Sequence, residues 1–132
     1  ATDLAAGSFP HASSYSATVA STTSSTWSDM PEMSVNIVLN RKSDLLIIFS
    51  SEAELSASGG SLYARAMVGS AVSKPEWVVL TQESRWSSCS FVFYLPNVSA
   101  GTYTVKIMWR VEPFIIQGMV RNRALNVIAL PA

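Results

Sequence analysis

Apolar and polar positions alternate along most of the chain beyond residue 27. The clearest run places Tyr103, Val105, Ile107, Trp109 and Val111 on one face and Thr102, Thr104, Lys106, Met108 and Arg110 on the other. A period of two in β-branched and aromatic residues predicts a half-buried strand. Phe91, Phe93 and Leu95 keep the same period ahead of a turn-rich centre, Pro96-Asn97-Val98-Ser99-Ala100-Gly101. Residues 91–111 are therefore expected to form a core hairpin.

Further strands follow from the same rule. Trp27-Ser28-Asp29-Met30-Pro31 has turn composition, and Met33, Val35, Ile37 and Leu39 then alternate with Ser34, Asn36 and Asn40. After a turn at 40–43, Leu45-Leu46-Ile47-Ile48-Phe49 is apolar on both faces, the pattern of a strand covered on both sides. Its continuation sends Glu52 and Glu54 outward and Ala53 and Leu55 inward. Ser58-Gly59-Gly60 is a hairpin signal. A hairpin there would return Leu62, Ala64, Ala66 and Val68 to the core and set Arg65 opposite Glu52 or Glu54. Residues 77–80, 86–95, 102–111, 114–120 and 124–130 complete eight or nine short strands, with no helical period and no internal repeat. The prediction is an all-β, antiparallel β-sandwich, with a jelly roll favoured over an immunoglobulin-like fold.

Residues 1–26 differ in composition. Twelve of them are Ser or Thr, and Asp3 is their only charge. Such a segment buries too little apolar area to order itself. The expected division is an extended arm, 1–26, and a sandwich domain, 27–132. Within the arm, 15–19 alternates, so Tyr15, Ala17 and Val19 are candidates to fill pockets as an added strand. The acceptor is either its own domain or a neighbouring subunit, and the neighbour is favoured, which would link copies by strand exchange. The start at Ala1, without Met, fits a removed leader or an artificial start.

Composition narrows the functional classes. Nine basic residues balance nine acidic ones, and charged residues are 14% of the chain against a usual quarter or so. No basic stripe points to nucleic acid, and no apolar run reaches the length of a membrane-spanning helix. High apolar content with few charges suits either a Ser/Thr-rich surface on an ordinary β domain or an apolar surface partly buried in an oligomer. Leu46 and Ile48, on the second face of their strand, need cover from a partner subunit or from the arm, so they join Tyr15, Ala17 and Val19 as assembly candidates. Scarce Lys and a Ser/Thr-rich surface favour a location outside the cell or on a virion.

The chemistry-bearing residues form no catalytic constellation. Cys89 is single and sits in a strand pattern, as an inert core thiol does. His11 is the one histidine, so no zinc set exists, and no calcium loop or phosphate-binding motif is present. Glu52 and Glu54 lie side by side on one face rather than across a cleft, as a glycosidase pair would. No catalytic residue, cofactor or metal is expected. Trp77 and Trp86 flank the loop 81–85, and together they would make a flat platform for a sugar. Asn97-Val98-Ser99 is a glycosylation sequon on a turn.

The stretch Leu95…Gly101-Thr102-Tyr103-Thr104-Val105 resembles the corner of extracellular sandwich domains, where a Tyr hydroxyl closes a Gly-containing turn. With the apolar final strand (Leu125, Val127, Ile128, Leu130), the order of elements over about 33–130 resembles trimeric jelly-roll heads of the C1q/tumour-necrosis-factor type. That resemblance implies self-assembly and recognition rather than catalysis. The expected function is a non-catalytic, self-assembling subunit of a fibre, filament or virion. The alternative is a carbohydrate-binding module with a glycan as partner.

Overall fold

The computed structural model of the protein describes residues 9–132, so residues 1–8 of the expected arm lie outside the described residues. Ten strands hold the chain: β1 (His11–Ser16), β2 (Ala20–Thr22), β3 (Ser28–Leu39), β4 (Ser43–Leu55), β5 (Ser61–Val68), β6 (Ala71–Val72), β7 (Val78–Thr81), β8 (Ser87–Val98), β9 (Gly101–Glu112) and β10 (Gly118–Pro131). One sheet, here the β4 sheet, has the order β1-β10-β4-β8, with β2 also on β10. The other, the β9 sheet, has the order β3-β9-β5, with β6 and β7 both on β5. All pairings are antiparallel. The β3–β4, β4–β5, β7–β8, β8–β9 and β9–β10 connections each change sheet. This interleaving, 1-10-4-8 against 3-9-5-7, is a jelly roll.

That topology corrects both expected hairpins. β8 pairs with β4, with Phe91 opposite Phe49 and Phe93 opposite Ile47, whereas β9 lies between β3 and β5. The turn after Pro96 is an arch from one sheet to the other, closed by the Tyr103 hydroxyl donating to the Ser99 carbonyl at 2.8 Å. Ser58-Gly59-Gly60 is likewise an arch. Gly59 has φ +96°, and a Cβ on Gly60 would stand 2.7 Å from the Glu112 carbonyl oxygen. Glycine is needed there for left-handed backbone and close approach. Arg65 faces outward but opposite Met108, and the partner of Glu52 is Arg121.

Three further expectations change. The turn expected at 27–31 is the wide bulge of β3, between the pairs Asp29–Met108 and Ser34–Lys106, with Glu32 at φ 64°. The last two predicted strands are one, β10, broken by a bulge between Arg121 and Ala124 where Asn122 has φ 47°. The Ser/Thr-rich segment contributes β1 and β2, both paired with β10 of its own chain. The Tyr15 strand is therefore seated on its own chain, the first of the two acceptors expected for it.

Between the sheets, the inward positions close a continuous core around Trp109, Phe49, Phe93, Met33, Leu45, Ile47 and Leu125. One charged side chain lies inside this frame. Arg123 is fully buried. Strand alternation from Val120 would send residue 123 outward, but the extra residue of the β10 bulge reverses the phase and turns it in. Its Nε and Nη2 donate to the Pro31 carbonyl at 3.2 and 3.1 Å, and Nη1 donates to the Thr18 carbonyl at 2.6 Å. Nη2 also stands 3.5 Å from a Glu32 carboxylate oxygen. One guanidinium thus ties the β1–β2 link, the β3 bulge and the β10 bulge. Ser14 and Ser16 of β1 bond the Glu32 carbonyl and carboxylate from the same side. Arg123→Met keeps most of the volume and removes every donor. It is expected to lower the unfolding free energy by about 1–3 kcal/mol in a urea titration, the cost of leaving the Pro31 and Thr18 carbonyls without donors. A loss under about 1 kcal/mol would mean that these carbonyls do not depend on the guanidinium.

Candidate functional site

Two outward surfaces stand out, one on each sheet. On the β4 sheet, three rows cross the four strands. Strand pairing sets His11, Ile128, Leu46 and Tyr94 in one row, Ser13, Asn126, Ile48 and Val92 in the next, and Tyr15, Ala124, Ser50 and Ser90 in the third. No Asp, Glu, Lys or Arg occurs among the twelve. Leu46 and Ile48 are half-buried by the flanking strands, while Val92 remains 56% exposed and Tyr94 40%. Tyr15 is 68% exposed on the same face. The fold therefore brings Tyr15, Leu46 and Ile48 onto one surface, whereas Ala17 and Val19 lie exposed in the β1–β2 link. Of these positions, Val92 and Tyr94 escaped the sequence reading, although both sit at the alternate phase of a strand whose inward phase was recognised.

The outer face of the β9 sheet carries a ladder of aromatic rings and guanidinium groups. Trp77 meets Tyr63 edge-on, with centroids 5.3 Å apart. Arg110 lies 4.5 Å from the Tyr63 centroid and 5.2 Å from that of Trp27, and Arg65 covers Trp27 at 4.6 Å. Pairing explains the spacing: Tyr63 is opposite Arg110 and Arg65 is opposite Met108, on alternate residues of β5. At the end of this ladder a shallow groove of about 600 Å³ is lined by Ser25, Gly60, Ser61, Tyr63, Glu112 and Phe114. Phe114 is 67% exposed at its rim. Most charges nearby are matched. Arg110 pairs with Glu112, Lys106 with Asp29 at 2.9 Å, and Lys74 with Glu76 at 3.0 Å. Arg65 has no carboxylate within salt-bridge distance among the described residues. Its Nη2 reaches only the Met108 sulfur, at 3.7 Å, and its enclosed Nε has no partner.

Trp77 and Trp86 are not brought together. Trp77 belongs to the ladder just described, whereas Trp86 lies beneath the guanidinium of Arg121, 4.1 Å away, beside the Arg121–Glu52 ion pair on the β4 sheet. Cys89 is half-buried and donates weakly to the Ser51 carbonyl at 3.5 Å. Burial pushes its thiol pKa up to about 11. Among the described residues no group of three or more His, Cys, Asp or Glu could hold a metal. Asn97 is exposed at φ 58°, its backbone N–H donating to Asp44. No described helix is long and apolar enough to cross a membrane.

No family model matches the sequence, and no curated protein matches it. Among solved structures, the chain is similar to dimeric latent PorU from Porphyromonas gingivalis, with TM-score 0.52 and 10% identity. The match covers 89% of this chain and 13% of that one. The chain is also similar to the CBM36-1 domain of a multidomain xylanase from the hindgut metagenome of Trinervitermes trinervoides, with TM-score 0.48 and 5% identity over 87% of this chain and 95% of that domain. A chain of the infectious bursal disease virus Gx strain matches at TM-score 0.37 and 12% identity, over 92% of this chain and 36% of that one. At such identities the PorU likeness bears on the sandwich fold alone.

Two titrations test the local environments. At pH 8 a thiol with a pKa of about 11 holds about a hundredfold less thiolate than one at 9.0. Alkylation of Cys89 by iodoacetamide is expected to be about a hundredfold slower in the native protein than in urea, and to rise steadily with pH. A native rate matching the urea rate would place the thiol in water. For Glu32, the Ser16 hydroxyl, then Thr18 and Arg123, hold the carboxyl below its ordinary range against partial desolvation. A depressed folded pKa adds stability above the unfolded value of about 4.3, and that stability is lost as pH falls through the lower folded value. Glu32→Gln is expected to flatten the acid limb of the melting-temperature profile, and an unchanged limb would refute the assignment.

Proposed function

We propose that this protein is a non-catalytic structural sandwich that assembles with copies of itself, as a subunit of an extracellular fibre, filament or virion surface. The observation behind this reading is the set of three charge-free rows on the outer face of the β4 sheet, which hold Leu46, Ile48, Val92, Tyr94, Ile128 and Tyr15 and are bordered by the Arg121–Glu52 ion pair. Apolar area left in water forfeits about 25 cal/mol per Å², and a contiguous apolar patch on an otherwise polar molecule suits an association site. Rows without charges can pack against another copy without setting like charges against each other, as a closed ring of subunits needs. Tyr15 and Tyr94 supply the large amphipathic rings favoured at such contacts. The resemblance to trimeric jelly-roll heads supports a small closed ring, and the low charge supports a place outside the cell.

Carbohydrate binding is a second reading, favoured by a separate observation. The groove on the β9 sheet sets the ring of Phe114 beside the hydroxyl groups of Ser25 and Ser61 and the carboxylate of Glu112. Apolar platforms flanked by a few polar groups suit small polar ligands.

Sedimentation velocity tests the first reading. The protein is expected to be oligomeric at micromolar concentration. Val92→Asp, at a position more than half exposed, is expected to yield a folded monomer with an unchanged melting temperature. Ile48→Asp should weaken assembly as well, with some loss of stability because its side chain is half-buried. A wild-type protein that stays monomeric at high concentration would overturn the reading.

A further inference from the structure

We infer that the outer face of the β9 sheet is a binding site for an anionic polysaccharide, with Arg65 taking the carboxylate or sulfate and the Phe114 groove taking a sugar ring. The inference rests on the carbohydrate-binding reading and names the class of sugar. Its basis is an unbalanced charge. Arg65 and Arg110 both lie over the single indole of Trp27, at 4.6 and 5.2 Å, so two like charges share one aromatic surface. Only one of them is answered by a carboxylate, Arg110 by Glu112. The neighbouring cation Lys106 is neutralised by Asp29. Arg65 therefore leaves the face with one net positive charge, fixed in place because Trp27 stacks on its guanidinium.

A bound anion would answer that charge and relieve the repulsion between the two guanidinium groups. Guanidinium is suited to the task, because its planar fork matches a carboxylate or sulfate in bidentate geometry. The donors are available: Nη2 is engaged only by a thioether sulfur at 3.7 Å, a weak acceptor. The site continues without a break into the groove. Tyr63 lies two residues before Arg65 on the same face, about 6.6 Å along the strand, and it lines the groove together with Ser25, Ser61, Glu112 and Phe114. A chain of sugars lying along β5 would thus meet a ring-sized apolar rim at one unit and a cation at the next. An acidic protein is disfavoured as the ligand, because an anion-selective protein contact would use several unpaired cations and this face offers one.

The test is affinity electrophoresis of the whole protein through gels containing polygalacturonate, heparin or neutral xylan. Retardation by polygalacturonate or heparin but not by xylan is expected, and which of the two retards it assigns carboxylate or sulfate. Arg65→Met should weaken retention about tenfold or more, Arg65→Lys should restore part of it, and Phe114→Ala should weaken it without changing the melting temperature. Equal retention by xylan, untouched by Arg65→Met, would overturn the acidic specificity and keep the carbohydrate reading. No retention by any of the three would overturn both.

Discussion

A guanidinium sealed from water must find its acceptors within the protein, and the way Arg123 finds them organises one side of this sandwich. Its donors reach carbonyls of two other segments, the β1–β2 link at Thr18 and the β3 bulge at Pro31. Both bulges serve this contact. The one in β10 turns Arg123 inward, and the one in β3 presents Pro31 and Glu32 toward it. Glu32 then carries the bonding on to the buried Ser16 and the exposed Thr18. Burial lowers the pKa of Arg123 and the Glu32 carboxylate works against that shift. The described part of the Ser/Thr-rich segment, β1 and β2, is held by this polar seam and by its pairing with β10.

Much of the fold was legible in the alternation. The inward faces of β3, β4, β5 and β9 were readable residue by residue, because each strand meets water on one side and the core on the other. The closing of the 99–103 corner by the Tyr103 hydroxyl was implied by the resemblance to extracellular sandwich domains rather than by the alternation. Strand pairing was not. A turn sequence such as Ser58-Gly59-Gly60 states that the chain reverses, and it reverses equally in a hairpin and in an arch between sheets. The bulges were hidden for a related reason: one extra residue in a strand leaves the composition untouched and shifts only the phase. Arg123 consequently looked like one more surface cation between Asn122 and Ala124.

The candidate surfaces divide in the same way. Leu46 and Ile48 were visible because apolar residues on both phases of a strand violate the half-buried pattern. Val92 and Tyr94 were hidden because Phe91, Phe93 and Leu95 accounted for the strand. The pairing of Trp77 with Trp86 failed because the eight residues between them pass from one sheet to the other, which separates two rings that look adjacent in sequence. The aromatic–guanidinium ladder is assembled from Trp27, Tyr63, Arg65, Trp77 and Arg110, drawn from different parts of the chain. The two outer faces end up chemically opposite. One has rows free of charge, and the other has fixed cations stacked on rings. The two proposed contacts, one with copies of the chain and one with a ligand, therefore lie on different sheets.

The place of β10 has a consequence for synthesis. It is the last strand to leave the ribosome among those described, yet it lies inside its sheet, with β1 and β2 along one edge and β4 along the other. The earliest strands have no seat until residues 118–131 exist, and β4 waits with one flank bare. Folding that depends on pairings so distant in sequence is slow, and a half-made chain shows open strand edges and apolar faces to its surroundings. Nascent copies held close together on one message would be exposed to pairing with each other before any could pair with itself.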